Sequence, residues 1–362
     1  MSPPLRCPAI KHRRSWQQGS LLRLGPIVLL AAVVLPCHSH WLAAAEQEEV
    51  VHFLTSTGSR ARLSGRIVEY TGKELQLELP GGRVQRIAAN QVLKVEADYC
   101  PAHQKADEAF RQQRYQEALA LYRRAMDQQP RRWVQRQIMA RVVWCYRGLE
   151  QPGPAGEAFL ALLRDDPETQ FFDCIPLAWL PREADPATVQ AARQWLQRSE
   201  PAAGLMGASH LLTGASRGEA VEKLRQLVSS SDRRIAQLAN AQLWRTAVTT
   251  ADIRQLDSWA EAIELMPEGL RAGPLYVLGT AQLKNKQWES AALSLLRVAI
   301  VYRQDRSLAA QALLEAARGL EQAGQSAEAA RLYHELLREY PEQARAVAEA
   351  QNRLEELRRS HR

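Results

Sequence analysis

The feature that most constrains the fold of this chain is a residue spacing that recurs along it. A small residue is followed four positions later by a large apolar residue, three later by a small or apolar residue, and five later by proline. Offsets of four and three place side chains on one stripe of a helix, and proline ends that helix. The full copies are Ala118, Tyr122, Ala125 and Pro130; Ala155, Phe159, Leu162 and Pro167; and Ala329, Tyr333, Leu336 and Pro341.

Weaker copies of the spacing fill most of the remaining chain, beginning at Ala220, Gln255 and Ala291. The interval between Ala155 and Ala220 is long enough for two units, so we expect a diverged unit over residues 168–205. A single helical hairpin cannot bury its apolar face alone, and hairpins of this kind stack. The pattern therefore predicts a mostly α fold, an α-solenoid of about seven helical hairpins.

The repeat resembles the tetratricopeptide repeat (TPR) family. Leu278-Gly279 and Trp288-x-x-Ala291 fit the first and second helices of that family, and Tyr115-x-x-Ala118 fits the same turn in the first unit. The resemblance spans residues 99–341, with departures where Val143, Leu243 and Gln255 replace small residues. It implies an array whose first helices line a concave groove that holds peptides or partner segments.

The resemblance carries the groove-facing positions of the family onto nine residues. Several are aromatic residues or arginines, which dominate protein–protein hot spots. Tryptophan is also mostly buried in any fold, so Trp144 and Trp244 are equally well interpreted as core residues. The predicted groove residues are His103, Phe110, Trp144, Arg147, Asn240, Trp244, Tyr276, Arg318 and Glu321.

Residues 46–98 have a different pattern, in which short alternating apolar runs are separated by turn signals. Leu75, Leu77 and Leu79 alternate strictly, and Pro80-Gly81-Gly82 marks a turn. We expect about five strands in a small all-β, barrel-like module, because a barrel hides its sheet edges. The pattern resembles small SH3-like or Sm-like barrels. The module is interpreted as a structural cap on the helices or, alternatively, as a binder of glycan or peptide.

The two ends of the chain are interpreted separately. Residues 1–45 run from basic to apolar to Ala43-Ala44-Ala45, the order of a secretory signal peptide, with cleavage after Ala45. This predicts a secreted or periplasmic protein; an uncleaved anchor or lipidation at Cys37 would instead attach it to a membrane. Residues 342–362 are predicted to hold a capping helix.

Five of the 47 basic residues and none of the 40 acidic ones lie within 1–45, so the net charge of +7 does not indicate nucleic-acid binding.

The sequence offers little support for catalysis. Gly214-Ala215-Ser216-Arg217-Gly218 matches G-x-S-x-G, but a nucleophile elbow needs a preceding strand, and helix is predicted there. No cofactor or metal motif is present, so we expect neither. Cys100, Cys145 and Cys174 are interpreted either as one disulfide with a free thiol or as three buried thiols. Asp165-Asp166 and the arginine pairs at 131–132 and 233–234 are interpreted as solvated.

These observations predict a non-catalytic protein–protein interaction scaffold of the cell envelope, which binds a partner segment in the concave groove. The alternative is an envelope-assembly or wall-associated factor whose β module binds glycan or peptide. A hydrolase using Ser216 is the remote alternative.

Overall fold

The structure, a computed structural model, describes residues 48–360. The first part consists of five β-strands: β1 Glu49–Leu54, β2 Arg60–Tyr70, β3 Glu74–Glu78, β4 Val84–Ala88 and β5 Val92–Glu96. The helices that follow are α1 Pro101–Arg111, α2 Tyr115–Gln128, α3 Arg132–Gly148, α4 Pro152–Asp165, α5 Pro186–Leu196, α6 Pro201–Leu211, α7 Arg217–Leu227, α8 Arg233–Trp244, α9 Ile253–Glu264, α10 Ala272–Lys284, α11 Trp288–Val301, α12 Arg306–Gln322, α13 Ser326–Glu339 and α14 Ala344–Ser360. A mostly helical, repeat-like array preceded by a small antiparallel sheet confirms the predicted fold class.

The five strands form one antiparallel sheet in the order β4-β3-β2-β1-β5. The long strand β2 pairs with β1 along its first half and with β3 along its second half. Gly65 lies between the two halves, and a Cβ there would come within 2.3 Å of the carbonyl oxygen of Glu78. Only glycine allows this approach, so the sheet bends at that residue. Leu75 and Leu77 are fully buried, as their alternation predicts, and Leu79 is half-buried.

The β module packs on the first helices through a shared apolar core and a buried arginine. Arg136 of α3 donates to Glu69 Oε1 at 2.8 Å, to the carbonyl oxygen of Tyr70 at 2.9 Å and to Asp165 Oδ2 at 2.5 Å. Asp166 is 5% exposed and accepts a hydrogen bond from the amide of Gly72. The expectation that Asp165 and Asp166 form a solvated turn is therefore wrong, because Asp166 binds the module directly and Asp165 holds the arginine that binds it.

The predicted spacing describes the hairpin packing. Ala118, Ala155 and Ala329 are fully buried between the helices of their pairs, as are the large partners four residues later. The residue five positions before each full copy has a positive φ: Gln113 (61°), Glu150 (55°) and Gly324 (79°). Lys286 (60°) precedes the partial copy at Ala291 in the same way. The turn inside each of these hairpins is thus built alike, with the left-handed conformation that favours glycine.

The helices form six consecutive pairs, α1–α2, α3–α4, α6–α7, α8–α9, α10–α11 and α12–α13, with α5 and α14 outside them. The diverged unit expected at 168–205 retains only α5, and an irregular connection, residues 166–185, stands in place of its first helix. In α14, Leu354 and Leu357 are buried in the same apolar cluster as the last pair.

The predictions for the cysteines and for the amino-terminal segment have the following outcomes. Cys100, Cys145 and Cys174 are free thiols, and burial raises the pKa of Cys145 to about 12. The predicted signal peptide and Cys37 lie outside the described residues. Within the described residues, no helix combines the length and the apolar character needed to cross a membrane.

Candidate functional site

Residues 167–181, here called the inner segment, run between α4 and α5. Apart from a 3-10 turn at Phe172–Cys174 they form neither helix nor strand, since Pro176 and Pro181 cannot donate to a helix. Ile175, Leu177 and Trp179 are nevertheless buried. A buried connection must find partners for its backbone polar groups. The partners of the inner segment show where it lies.

Arg147 of α3 holds the first part of the inner segment. Its guanidinium donates to the carbonyl oxygens of residues 173–175 at 3.3 to 3.5 Å. It also lies 4.0 Å from the centre of the Trp144 ring and pairs with Asp305 Oδ2, just before α12, at 2.5 Å. One side chain therefore connects the second hairpin, the inner segment and the start of the last hairpin.

Side chains of α6 and α8 hold the second part. Ser209 Oγ accepts from the amide of Ala178 at 2.9 Å and lies 3.1 Å from the carbonyl oxygen of the same residue. Gln242 Nε2 donates to that carbonyl at 3.2 Å. His210 Nε2 lies 2.9 Å from the carbonyl oxygen of Pro176, and burial lowers the pKa of His210 to about 4, so this imidazole is neutral at pH 7.

Arg234 of α8 holds the beginning of the inner segment. It donates to the carbonyl oxygens of Pro167 at 2.7 Å and Thr169 at 3.4 Å, and its guanidinium lies 4.0 Å from the centre of the Phe172 ring. The expectation that Arg234 is solvated is wrong, because its planar guanidinium donates hydrogen bonds to carbonyl oxygens and stacks on an aromatic ring.

The inner segment also contacts α10, where Trp179 packs directly against Gly273. It also contacts α4, where the Phe172 ring lies 5.4 Å from the Phe159 ring. The other four helices named here, α3, α6, α8 and α10, are each the first helix of their pair. These are the helices that, by the TPR resemblance, line the concave side of the array. The surface for which the sequence predicts a partner segment therefore carries residues of the chain itself.

Two cavities lie beside the inner segment. One, of about 310 Å³, lies among Arg147, Pro176, Trp179, His210 and Asp305. The other, of about 210 Å³, lies among residues that include Trp144, Leu177, Gly273 and Tyr302. Both are close to the predicted residues Trp144 and Arg147. The first lies at the lower end of the range of typical ligand pockets, about 300 to 1,000 Å³, and the second lies below it.

The predicted residues of the first unit, His103 and Phe110, are enclosed by their neighbours. The His103 side chain is fully buried, with its ring centre 4.4 Å from that of Tyr99, and burial lowers its pKa. The Phe110 ring lies 5.7 Å from the Tyr115 ring and 5.1 Å from the guanidinium of Arg141. His103 presents no surface to a partner.

Asn240 and Trp244 are brought together in an open cleft between α8 and α9, here called the aromatic cleft. Its volume is about 520 Å³. Trp244 stacks on Trp259 with ring centres 5.1 Å apart and an interplanar angle of 9°. Asn240 and Ser258 are exposed beside this stack. The lining residues are Asn240, Trp244, Asp252, Arg254, Gln255, Ser258, Trp259 and Ala262.

The sequence explains why the cleft lies there. Four other pairs place small residues opposite each other, as with Ala317 and Ala329, and their helices approach closely. The α8–α9 pair has Leu243 and Gln255 at these positions, and it is the pair whose helices are spread apart. Both departures from the repeat can be read in the sequence, and in the structure they coincide with the spread pair.

The other three predicted residues lie farther along the array. Tyr276 is 3% exposed and faces a separate cavity between α6, α8 and α10. Arg318 pairs with Glu315 at 2.9 Å and Glu349 at 2.8 Å. Glu321 accepts from the Tyr333 hydroxyl at 2.9 Å and pairs with Arg353 of α14. The structure thus places the nine predicted residues at several separate locations.

The residues with catalytic or metal-binding chemistry do not form a site in the described chain. Ser216 stands in the turn between α6 and α7, so a helix precedes it where a nucleophile elbow requires a strand. Within residues 48–360, no group of three or more His, Cys, Asp or Glu side chains is arranged to hold a metal ion.

Comparison with family models gives a match near the end of the array. Residues 311–342 match the model of the tetratricopeptide repeat family, and this range covers most of α12, all of α13 and the turn between them. None of the curated proteins matches the chain. The match, together with the helical array, supports a TPR-type protein. Such repeats generally bind protein or peptide partners and are typically non-catalytic.

Proposed function

We propose that this protein is a non-catalytic protein–protein interaction scaffold of the cell envelope, and that its partner contributes a segment that binds in the aromatic cleft. The observation that carries the proposal is the spread α8–α9 pair, which exposes a polar rim beside two stacked tryptophans. Both tryptophans are core residues, 5% and 7% exposed, so the surface that the cleft offers is mainly its polar rim. Accessible polar rims are typical of protein-binding surfaces.

The cleft is preferred to the concave side because of what each can offer a partner. On the concave side, Arg147, Ser209, His210 and Gln242 already bind the inner segment. A partner there would have to displace a buried connection. In the cleft, Asn240 and Ser258 are exposed and no hydrogen bond of their side chains to another described residue is found.

The envelope location rests on the order of residues 1–45. Amino-terminal sequencing of the protein recovered from an envelope fraction tests it, and we expect Glu46 as the first residue. Recovery of the uncleaved chain in the cytoplasm would contradict this part of the proposal without affecting the cleft.

The wall-binding alternative finds less support. The β module contains two aromatic residues, Phe53 and Tyr70, and both are half-buried. The hydroxyl of Tyr70 donates to Gln170 at 2.7 Å, which fixes this ring against the inner segment. The module therefore lacks the row of exposed aromatic rings that a glycan or peptide platform uses.

Capture of partners from an envelope extract tests the cleft. The double variant Asn240→Arg with Ser258→Arg fills the rim with charge without altering a buried residue. We expect it to lose a partner that the natural chain retains, with at least a tenfold drop in recovery. The control is Gln226→Arg with Gln351→Arg, which changes exposed residues of α7 and α14. Equal recovery of all partners by the cleft variant and the control would contradict the proposed cleft.

A further inference from the structure

A cavity lies between the inner segment, α10 and the residues that follow α6 and α8, and its composition is not used by the scaffold function. It is here called the arginine cavity, and its volume is about 330 Å³. Thr213 and Arg217, both exposed, stand at its mouth, and the half-buried Arg245 lies deeper. The lining residues are Trp179, Pro181, Leu212, Thr213, Arg217, Arg245, Thr246, Val248, Tyr276, Val277 and Thr280.

The arginine cavity carries positive charge without a counter-charge. Two of its lining residues are arginines and none is acidic. Arg245 donates to the carbonyl oxygen of Ser209 at 2.9 Å and to Gln242 Oε1 at 2.6 Å, and both acceptors are neutral. Among residues 48–360, no carboxylate forms an ion pair with Arg217 or Arg245. Burial lowers the pKa of Arg245 to about 10, as expected of a cation that has lost water and gained no anion.

The three threonine hydroxyls of the lining are already used, and that of Thr213 donates to the carbonyl oxygen of Arg182 at 3.3 Å. The Thr246 hydroxyl donates to the carbonyl oxygen of Leu243 at 2.7 Å, and the Thr280 hydroxyl donates to that of Tyr276 at 2.8 Å. The remaining walls, including Leu212, Val248 and Trp179, are apolar. The two arginines are therefore the charged residues of the lining, beside the polar groups of Tyr276 and Trp179. A planar guanidinium can donate two parallel hydrogen bonds to the two oxygens of one carboxylate.

We propose that the arginine cavity binds a carboxylate that carries an apolar tail of medium length. The size fits such a ligand: a cavity of about 150 Å³ holds benzene, so by proportion one of about 330 Å³ holds about 13 non-hydrogen atoms. A ten-carbon straight-chain acid is of that size. Its carboxylate would pair with Arg245 and Arg217, and its tail would lie against Leu212, Val248 and Trp179. This small-molecule site is independent of the protein partner proposed above.

Titration of the full chain with decanoate tests the proposal, with decanol as a neutral ligand of equal length. Trp179 lines the cavity, so tryptophan fluorescence and calorimetry both report binding. We expect decanoate to bind at least tenfold more tightly than decanol, because a carboxylate forms an ion pair with a guanidinium and a neutral hydroxyl does not. Equal affinities, or no binding of decanoate, would overturn the proposal.

Variants assign the binding to the cavity. Arg245→Gln is expected to weaken decanoate at least tenfold while changing decanol less than twofold. Arg217→Gln, at an exposed position where folding is not at risk, is expected to act in the same direction. Arg331→Gln, an exposed arginine of α13, is the control and leaves both affinities unchanged. If neither Arg217→Gln nor Arg245→Gln weakens decanoate more than Arg331→Gln does, the ligand binds elsewhere and the proposal is wrong.

Discussion

Replacing Gly273 by alanine is expected to push Trp179 out of its place and destabilise the fold. A Cβ at residue 273 would lie 1.9 Å from Trp179 Cε2 and 2.1 Å from Cδ2, so the indole must move. Trp179 is 9% exposed, and overpacking of this kind costs about 1 to 3 kcal/mol. Alanine recovers up to about 1 kcal/mol of helix propensity. We expect a net loss of about 1 kcal/mol in the free energy of unfolding.

Urea unfolding followed by circular dichroism measures this loss, and a double-mutant cycle assigns it to the contact. In a Trp179→Ala background the clash is absent, so Gly273→Ala should be neutral or slightly stabilising. Gly153→Ala is the matched control, because Gly153 is also the second residue of its helix and the nearest atom to a Cβ there is 3.8 Å away. Additive effects of Gly273→Ala and Trp179→Ala would refute the placement of Trp179 against α10.

Three further predictions concern single side chains. Arg136→Ala, which breaks a buried ion pair, should cost about 3 to 5 kcal/mol, whereas Arg132→Ala, on an exposed arginine that shares Asp165, should cost less than about 1 kcal/mol in the same urea assay. Lys286→Gly should raise stability by about 1 kcal/mol, because φ is 60° there, and Gly324→Ala should lower it by a similar amount; thermal unfolding would show both. The pKa of His210 is lowered from 6.5 to about 4 in the folded chain. As the pH falls below 6.5, this histidine is therefore protonated in the unfolded chain before it is protonated in the folded chain, which favours unfolding. Stability should therefore drop by about 2 kcal/mol more between pH 7 and 4.5 in the natural chain than in His210→Gln, and equal drops would contradict the burial of this imidazole.

The helical array was predictable because its signal is local and repeated. Residues such as Ala118, Tyr122 and Ala329 specify one helix stripe and one close approach, and each hairpin repeats the same packing. The strand alternation at Leu75 and Leu77 is local in the same sense. Register and fold class therefore followed from spacing alone.

The path of the inner segment could not be predicted in this way. Its prolines and the absence of a helical period indicate that residues 167–181 leave the repeat, and its apolar run indicates burial. Its position depends on Arg147, Ser209 and Gln242, which lie on three helices far apart in the chain. No spacing rule joins such residues, so the sequence predicted an open concave groove there.

The candidate site was predicted in part for the same reason. Asn240 and Trp244 share a cleft, but Trp259, which completes the stack, belongs to the next helix, and it could be found only by asking what Leu243 and Gln255 do to the packing of the pair. Arg234 was recognised as a charged residue, but its carbonyl partners are more than 60 residues away in sequence.

Hydrogen exchange over residues 174–178 tests most directly whether the inner segment is fixed inside the array. The four amides of this stretch all donate hydrogen bonds, three of them to carbonyls nearby in the chain and that of Ala178 to Ser209 Oγ. Residues 183–185, in the same connection, are the internal comparison, since no hydrogen bond from their amides to another described residue is found. We predict slow exchange at 174–178, with Ser209→Ala accelerating it at Ala178, and fast exchange at 183–185. Equally fast exchange in both stretches would contradict a fixed inner segment. The concave side would then be available to bind a partner segment.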